Sequence, residues 1–217
     1  MDTSSRPPSL AGLRRTYEGQ PLLESGMATD PITQFTVWFE EALSAGLTEP
    51  NAMVLATASA QGRPSARTVL LKGYDERGFV FYTNYASRKG RDLTANPYAS
   101  LLFPWHPIRR QVRVEGSVEA LAREESADYY HSRPYGSRIG AWASRQSEVV
   151  SSREELDARY EELAARWPEE PPMPDFWGGF RVVPSELEFW QGQLDRMHDR
   201  LRYRRLNSGW ALERLAP

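Results

Sequence analysis

Two cationic side chains stand in the first turn of a predicted helix, a position that favours phosphate binding. Ser87-Arg88-Lys89 follows directly after a predicted strand that ends in Tyr82-Thr83. The N-terminus of a helix presents free N–H groups and a partial positive charge, and Arg88 and Lys89 add formal charge to them. The pattern predicts a phosphate site, although a capped surface helix with solvated cations fits the same residues.

Another predicted strand carries a cation at each end. Arg67-Thr68-Val69-Leu70-Leu71-Lys72 is apolar or β-branched between its two charged residues. Because side chains alternate along a strand, Arg67 and Lys72 are predicted to face opposite sides and to serve two separate anionic groups. The alternative is a pair of surface charges at the strand ends.

A third set of donors recurs at intervals of four residues. Tyr129, Arg133 and Ser137 would share one face of a continuous helix, which Pro134 interrupts. Their hydroxyl and guanidinium groups can nevertheless converge on one phosphate. A helical surface with an adjacent turn is the alternative.

A dense polar cluster follows Trp190 in the sequence Arg196-Met197-His198-Asp199-Arg200. In an extended chain Arg196 and His198 share a face. A turn with solvated charges fits equally well, and a single His followed by Asp does not by itself indicate acid–base catalysis.

The composition excludes several other kinds of site. The 217 residues carry a net charge of −2 and contain no Cys, which excludes thiol nucleophiles, disulfides, iron–sulfur clusters and cysteine zinc sites. The three His are far apart, so no metal site is predicted, and the balanced charge does not indicate nucleic-acid binding. A polar N-terminus and the lack of any long apolar run predict no signal peptide and no membrane span, which favours the cytoplasm.

Hydrophobic periodicity predicts an α+β fold that positions these groups. Asp30-Pro31 begins an amphipathic helix whose apolar face includes Phe35 and Leu43. Short strands with a period of two then alternate with turns up to residue 118, three helices follow, and strands return after residue 180. Such strands indicate an antiparallel barrel or sandwich. Residues 1–29 lack an apolar period and are predicted to form a mobile arm that precedes one domain, residues 30–217.

Several motifs that occur in order along the chain carry a family resemblance. They are Arg67-Thr68-Val69-Leu70-Leu71-Lys72, Phe81-Tyr82-Thr83-Asn84 with Ser87-Arg88-Lys89, Leu102-Phe103-Pro104-Trp105 with Arg110-Gln111-Val112, His131-Ser132-Arg133-Pro134, Ile139-Gly140-Ala141-Trp142 with Gln146-Ser147, Phe176-Trp177-Gly178-Gly179-Phe180, Glu188-Phe189-Trp190-Gln191-Gly192 and Arg214-Leu215-Ala216-Pro217. Together they resemble the pyridoxamine/pyridoxine 5′-phosphate oxidase family, from about residue 13 to the C-terminus.

The resemblance implies an antiparallel FMN-binding split β-barrel with flanking helices, and a homodimer with FMN at the subunit interface. It also implies oxidation of pyridoxamine or pyridoxine 5′-phosphate to pyridoxal 5′-phosphate, with O2 as acceptor, in vitamin B6 salvage. No membrane or nucleic-acid partner is implied. The cofactor then performs the redox step, so that no metal or protein nucleophile is needed.

Individual site residues are also implied by the resemblance. Positions that match FMN contacts are Arg67, Thr68, Val69, Leu70, Leu71, Lys72, Tyr82, Thr83, Arg88, Lys89, Gln111, Gln146, Ser147, Trp190 and Arg200. Positions that match substrate contacts are Arg14, Arg15, Thr16, Tyr17, Lys72, Tyr129, Arg133, Ser137, Arg196, Met197 and His198. Arg196 and His198 match the pair nearest the reacting carbon and are the candidate catalytic residues.

Two other functions fit a split barrel of this kind. A flavin or deazaflavin reductase would keep the barrel and the phosphate-binding strand but would lack Arg196, His198 and the set formed by Tyr129, Arg133 and Ser137. A non-catalytic carrier of FMN or pyridoxal phosphate would keep the binding residues without turnover.

Overall fold

The computed structural model describes residues 16, 17 and 19–217. Its strands are β1 (Ala52–Ala58), β2 (Pro64–Leu70), β3 (Gly73–Asp75), β4 (Gly78–Asn84), β5 (Tyr98–Phe103), β6 (Arg110–Ala120), β7 (Trp177–Gln191), β8 (Asp199–Arg205) and β9 (Trp210–Arg214). Its α-helices are α1 (Pro31–Ser44), α2 (Arg88–Ala95), α3 (Arg123–Ser132), α4 (Tyr135–Ala143) and α5 (Arg153–Arg166). None of the helices in this part of the chain is long and apolar enough to cross a membrane.

The strands form one antiparallel sheet that divides along β7. Their order is β2-β1-β5-β6-β7-β4-β3, and β8 pairs with β7 and β9. β6 follows one edge of β7, whereas the other edge pairs first with β4, at residues 177–182, and then with β8, at residues 186–191. Between these two halves lies Pro184, whose nitrogen cannot donate a hydrogen bond, and the register with β6 shifts between Glu115 and Gly116. The expected antiparallel split barrel with flanking helices is confirmed.

Helix α1 packs its apolar face on the core of the barrel. Asp30 caps the helix, because its carboxylate accepts hydrogen bonds from two backbone N–H groups of the first turn. The ring of Phe35 is fully buried and lies edge-on to Phe79, with 4.9 Å between the ring centroids. The prediction that Leu43 belongs to this face is wrong, since its side chain is 53% exposed. At 3.6 residues per turn Leu43 lies about 80° around the helix from Phe35, whereas Ala42 lies within about 20° and is buried instead.

Some strand boundaries differ from the predicted ones. The strand predicted to reach Lys72 ends at Leu70, so Leu71 and Lys72 lie beyond β2. Of the strands predicted from residue 180 onward, the first two, at residues 180–183 and 186–190, are a single strand, β7, because β6 pairs with it across the register shift. The short strand β3 was not predicted from the sequence.

Candidate functional site

A cavity of about 660 Å³ brings together residues from several of the sequence motifs. It is lined by Arg67, Thr68, Val69, Leu70, Lys72, Tyr82, Thr83, Asn84, Lys89, Tyr129, Arg133, Pro134, Ser137, Gly140, Ala141, Ser144, Gln146 and Trp177. Four of these side chains are cationic, and no carboxylate occurs among the described residues that line the cavity. The cavity is therefore suited to phosphate groups.

Arg67 and Lys72 line this same cavity, so the prediction that they face opposite sides is wrong. The alternation of side chains holds only within a strand, and β2 ends at Leu70. Both cations therefore act on one cavity and not on two separate surfaces.

Lys89 lies at the N-terminus of α2, where the sequence predicts a phosphate site. Ser87 caps this helix and accepts a hydrogen bond from the backbone N–H of Gly90 at 3.3 Å. The Lys89 ammonium is buried and donates to Thr83 Oγ1 at 3.2 Å and to Gln146 Oε1 at 3.0 Å. Burial and then the positive charge of Arg67 lower the pKa of Lys89. An anion bound here would offset both effects, which favours phosphate at this end of the cavity.

Arg67 is held in place by the neighbouring strand. Its Nη1 donates to Thr57 Oγ1 at 2.7 Å, and its Nη2 lies 3.8 Å from a carboxylate oxygen of Asp92. Thr57 in turn donates to Asp92 at 2.8 Å. These contacts fix the guanidinium toward the cavity without a carboxylate in the lining itself.

Three stacked aromatic rings support the other end of the cavity. The ring of Tyr82 lies parallel to that of Tyr129 at 4.0 Å and to that of Trp177 at 5.4 Å between centroids. The guanidinium carbon of Arg133 lies 4.8 Å above the Trp177 ring. A side chain at Gly179 would collide with Tyr82 and Leu121, so the stack needs glycine at that position.

The hydrogen bonding of the Arg133 guanidinium is incomplete within the described part of the chain, and an anionic ligand would complete it. Its Nη1 is buried and has no hydrogen-bond partner among the described residues. Burial also lowers the pKa of Arg133, an effect that the nearby Tyr129 and Tyr130 oppose. A buried guanidinium without a partner is costly unless a ligand completes its hydrogen bonds.

The remaining predicted FMN contacts of this region lie beside the cavity. Arg88 is exposed, and its backbone N–H donates to Ser147 Oγ at 3.2 Å. Ser147 itself has a left-handed backbone, with φ 74°. Leu71 is buried in the hydrophobic core and does not line the cavity.

A second group of predicted residues forms at the far end of β7. Gln111 on β6, Trp190 on β7 and Arg200 on β8 are direct cross-strand partners. Residues directly opposite each other in an antiparallel sheet point to the same face, so the three side chains form one row. Arg200 donates to the buried carboxylate of Glu188 at 2.7 and 3.1 Å, and this hydrogen bonding raises the pKa of Arg200.

The loop between β7 and β8 carries the two candidate catalytic residues. Arg196 is exposed and has a left-handed backbone with φ 62°, as does Asp195 with φ 52°. The backbone N–H of Gln193 donates to His198 Nδ1 at 3.0 Å, which leaves the proton of a neutral imidazole on Nε2. The His198 ring packs against Trp190, with 4.7 Å between centroids. Asp199 does not form a catalytic pair with His198, because its carboxylate accepts hydrogen bonds from other groups.

The N-terminal positions in the described part of the chain contact this second group. The Tyr17 ring lies edge-on to Trp190 at 6.2 Å and to His198 at 5.9 Å between centroids. Thr16 lies nearby and is exposed, and Met197 is 67% exposed. Arg14 and Arg15 lie outside the described residues.

Trp177 and Glu188 are further candidate site residues, which the sequence analysis did not identify as such. Each acts on a predicted residue, Trp177 on Arg133 and Glu188 on Arg200. The two glycines that follow Trp177 were the available signal, because they let other rings approach the strand closely. Glu188 gave a weaker signal, a single acidic residue within an apolar strand.

Comparison with known proteins gives a consistent result. Residues 39–167 match the family model for pyridoxamine 5′-phosphate oxidase, and residues 177–217 match the model for the pyridoxine 5′-phosphate oxidase C-terminal dimerisation region. The pyridoxine/pyridoxamine 5′-phosphate oxidase of Bordetella petrii is 60% identical over 210 residues, which cover 96% of this chain and 100% of that protein. The protein of the same name from Rubrobacter xylanophilus is 61% identical over 209 residues, with 96% of each chain covered.

The solved structures agree with the fold. PhzG from Burkholderia lata 383, crystallised with tetrahydrophenazine-1-carboxylic acid, has a TM-score of 0.86 and 35% identity, with 91% of this chain and 98% of that chain covered. A pyridoxamine 5′-phosphate oxidase-related, FMN binding protein from Nostoc punctiforme has a TM-score of 0.69 at 16% identity, with 88% and 100% covered, and shows likeness of fold alone.

The barrel and its cationic cavity thus define an FMN-binding split-barrel oxidoreductase. Within that class, the chain belongs to the pyridoxamine 5′-phosphate oxidase family.

Proposed function

We propose that the protein oxidises pyridoxamine and pyridoxine 5′-phosphate to pyridoxal 5′-phosphate, with O2 as the acceptor, in vitamin B6 salvage. When bound, FMN supplies the two-electron chemistry by which the substrate C4′ loses a hydride and O2 becomes H2O2. With the amine substrate, water then releases ammonia from C4′. The chain's own residues bind the two phosphates, orient the substrate ring and exclude water.

The two ends of the cavity have separate roles in this proposal. Arg67 and Lys89 would hold the FMN phosphate together with the N-terminus of α2. Lys72, Tyr129, Arg133 and Ser137 would hold the substrate phosphate. The single observation that carries the assignment is the buried Nη1 of Arg133, which has no hydrogen-bond partner in the described part of the chain and which an anion at this end of the cavity would satisfy.

The second group would complete the site from another chain. Tyr82 lies opposite Gly179 near the start of β7, and Trp190 lies near its end, eleven residues further along. At the rise of a strand this separation corresponds to about 36 Å along β7, which is longer than a single FMN molecule. We infer a homodimer in which Gln111, Trp190, Arg196, His198 and Arg200 of one chain face the cavity of the other. The dimerisation region matched at residues 177–217 contains most of this group.

Within this arrangement His198 would act as a hydrogen-bond donor. Its Nδ1 is occupied by the Gln193 backbone N–H, so Nε2–H is the group available to a substrate. The exposed guanidinium of Arg196 would pack on the substrate ring and hold C4′ in position.

The experiment that tests the function is an oxygen-consumption assay on the protein reconstituted with FMN. We expect O2 uptake and pyridoxal 5′-phosphate formation from both phosphate esters, and none from the esters' dephosphorylated forms. Tetrahydrophenazine-1-carboxylic acid, found in the PhzG structure, has no phosphate and is expected to be a poor substrate. Uptake that does not depend on the phosphate, or bound FMN without any turnover, would reject the proposal.

We expect Arg133→Ala to weaken substrate binding far more than FMN binding. Loss of one charge-assisted phosphate contact costs roughly 1.5–3 kcal/mol, which is about ten- to a hundredfold in affinity. Fluorescence titration with FMN and substrate KM values give the two effects separately. Arg123→Ala is the matched control, because this exposed cation at the start of α3 does not line the cavity. Equal losses of FMN and substrate affinity would show that the two phosphate positions are wrongly assigned.

A further inference from the structure

The segment of residues 19–24, here called the N-terminal segment, is hydrogen-bonded to the back of the β7–β8 hairpin. Gln191 on β7 lies opposite Asp199 on β8, one position along from the row that contains Trp190 and Arg200. Because side chains alternate, Gln191 and Asp199 point to the face opposite that row. The hairpin thus carries candidate catalytic-site residues on one face and contacts with the N-terminal segment on the other.

Asp199 is the centre of these contacts. One carboxylate oxygen accepts from the backbone N–H of Leu22 at 3.0 Å and from Gln193 Nε2 at 2.8 Å. The other accepts from Arg214 Nη1 at 2.6 Å. The Asp199 side chain is only 15% exposed. Burial alone would raise the pKa of Asp199, but the hydrogen bonds from Leu22, Gln193 and Arg214 lower it, so the carboxylate is charged at neutral pH.

Arg214 extends the same network to the end of the segment. Its guanidinium donates to both carboxylate oxygens of Glu24, at 2.8 and 2.9 Å, and to the carbonyl of Leu22 at 2.7 Å. This pairing lowers the pKa of Glu24 to about 2. Gln193 Nε2 also donates to the carbonyl of Gln20 at 3.0 Å. These bonds of Arg214 and Gln193 join the N-terminal segment to β9 and to the β7–β8 loop.

This hydrogen-bond network and its neighbours contact the loop of the candidate catalytic residues at two points. Gln193 binds Asp199 through its side chain and His198 through its backbone N–H. Tyr17, which precedes the N-terminal segment in the chain, lies over Gly192, where a side chain would come within 2.9 Å of the Tyr17 ring, and it contacts Trp190 and His198. The loop contains consecutive left-handed residues, a conformation that persists only where surrounding contacts hold it.

We propose that Asp199 is a positioning residue that anchors the N-terminal segment to the loop carrying Arg196 and His198, and so holds Tyr17 over the substrate position. The proposal rests on the proposed function for the role of that loop. Asp199 itself does not touch the reacting atoms and acts through Gln193, Leu22 and Arg214.

The test compares Asp199→Asn with wild type in the FMN-loaded protein by hydrogen–deuterium exchange of peptides that cover residues 19–27 and 193–199. The substitution keeps the shape of the side chain but replaces one acceptor by an N–H2 group, so part of the network is lost. We expect exchange in both peptides to rise about tenfold, and kcat/KM for pyridoxamine 5′-phosphate to fall about tenfold or more with unchanged FMN content. Glu213→Gln is the control, because Glu213 pairs with Arg202 and Arg204 on the same strands without touching the segment.

Two further measurements separate positioning from general stability. Tyr17→Ala should lower kcat/KM, and adding Asp199→Asn should lower it little further, because both substitutions act on the same contact. If Asp199→Asn does not fold, the exposed Arg214→Gln variant removes the same anchor from its other side.

Unchanged exchange, or raised exchange with unchanged kcat/KM in an active enzyme, would overturn the proposal, as would fully additive effects of the two substitutions. If the wild-type protein shows no oxidase activity, the proposed function fails, and the exchange measurement still decides whether Asp199 is the anchor.

Discussion

Replacing Arg196 by Met should lower kcat/KM for pyridoxamine 5′-phosphate by about a hundredfold while FMN remains bound, which is the size of effect expected when a reacting centre is displaced by about 1 Å. Methionine keeps much of the bulk but removes the planar charge and its donors. Arg196 lies in a loop away from the cationic cavity of its own chain, so cofactor binding through Arg67 and Lys89 is not altered directly.

Anaerobic single-turnover reduction of the flavin measures this effect, because it separates hydride transfer from reoxidation by O2. We expect a smaller loss for His198→Asn, since His198 would orient the ring by one hydrogen bond. Leu194→Ala is the control in the same loop, where Leu194 is 47% exposed and has no assigned role. Flavin reduction at the wild-type rate and affinity in Arg196→Met would contradict the ring-holding role and make the loop a solvated turn.

The fold class and much of the lining of the cationic cavity were predictable from the sequence. The Asp30 cap, the Ser87 cap and the period-two strands each reflect local chemistry that the sequence displays directly. The family resemblance added the cofactor and the candidate site residues. At these positions spacing alone did not distinguish a ligand site from a solvated surface.

The errors arose where tertiary structure decides the outcome. The alternation rule failed for Lys72 because β2 ends two residues earlier, at a point that the apolar sequence does not mark. Trp177, Glu188 and Asp199 were not identified because each acts through a contact that exists only in the folded chain. The stacking of Trp177 on Tyr82 is an example. Sequence spacing also gave no sign that the cavity and the Trp190 row lie at opposite ends of one strand.

The separation between the cavity and the Trp190 row leads to the second prediction, which concerns dimers formed from two different variant chains. Arg133→Ala impairs the cavity half of a site, and Arg196→Met impairs the half proposed to come from the partner. In a dimer of one chain of each kind, one site contains both substitutions and the other contains neither. A dimer that joins two strongly impaired variants is therefore expected to recover activity.

The measurement is the specific activity of such mixed dimers, produced by co-expression with two different affinity tags and purified on both. We expect about half of the wild-type activity per dimer at low substrate concentration, because one of the two sites is intact. The control pairs Arg133→Ala with Lys72→Ala, which impair the same half of the site, and should show no recovery. Activity no higher than that of the two parent variants would contradict a catalytic site built from two chains.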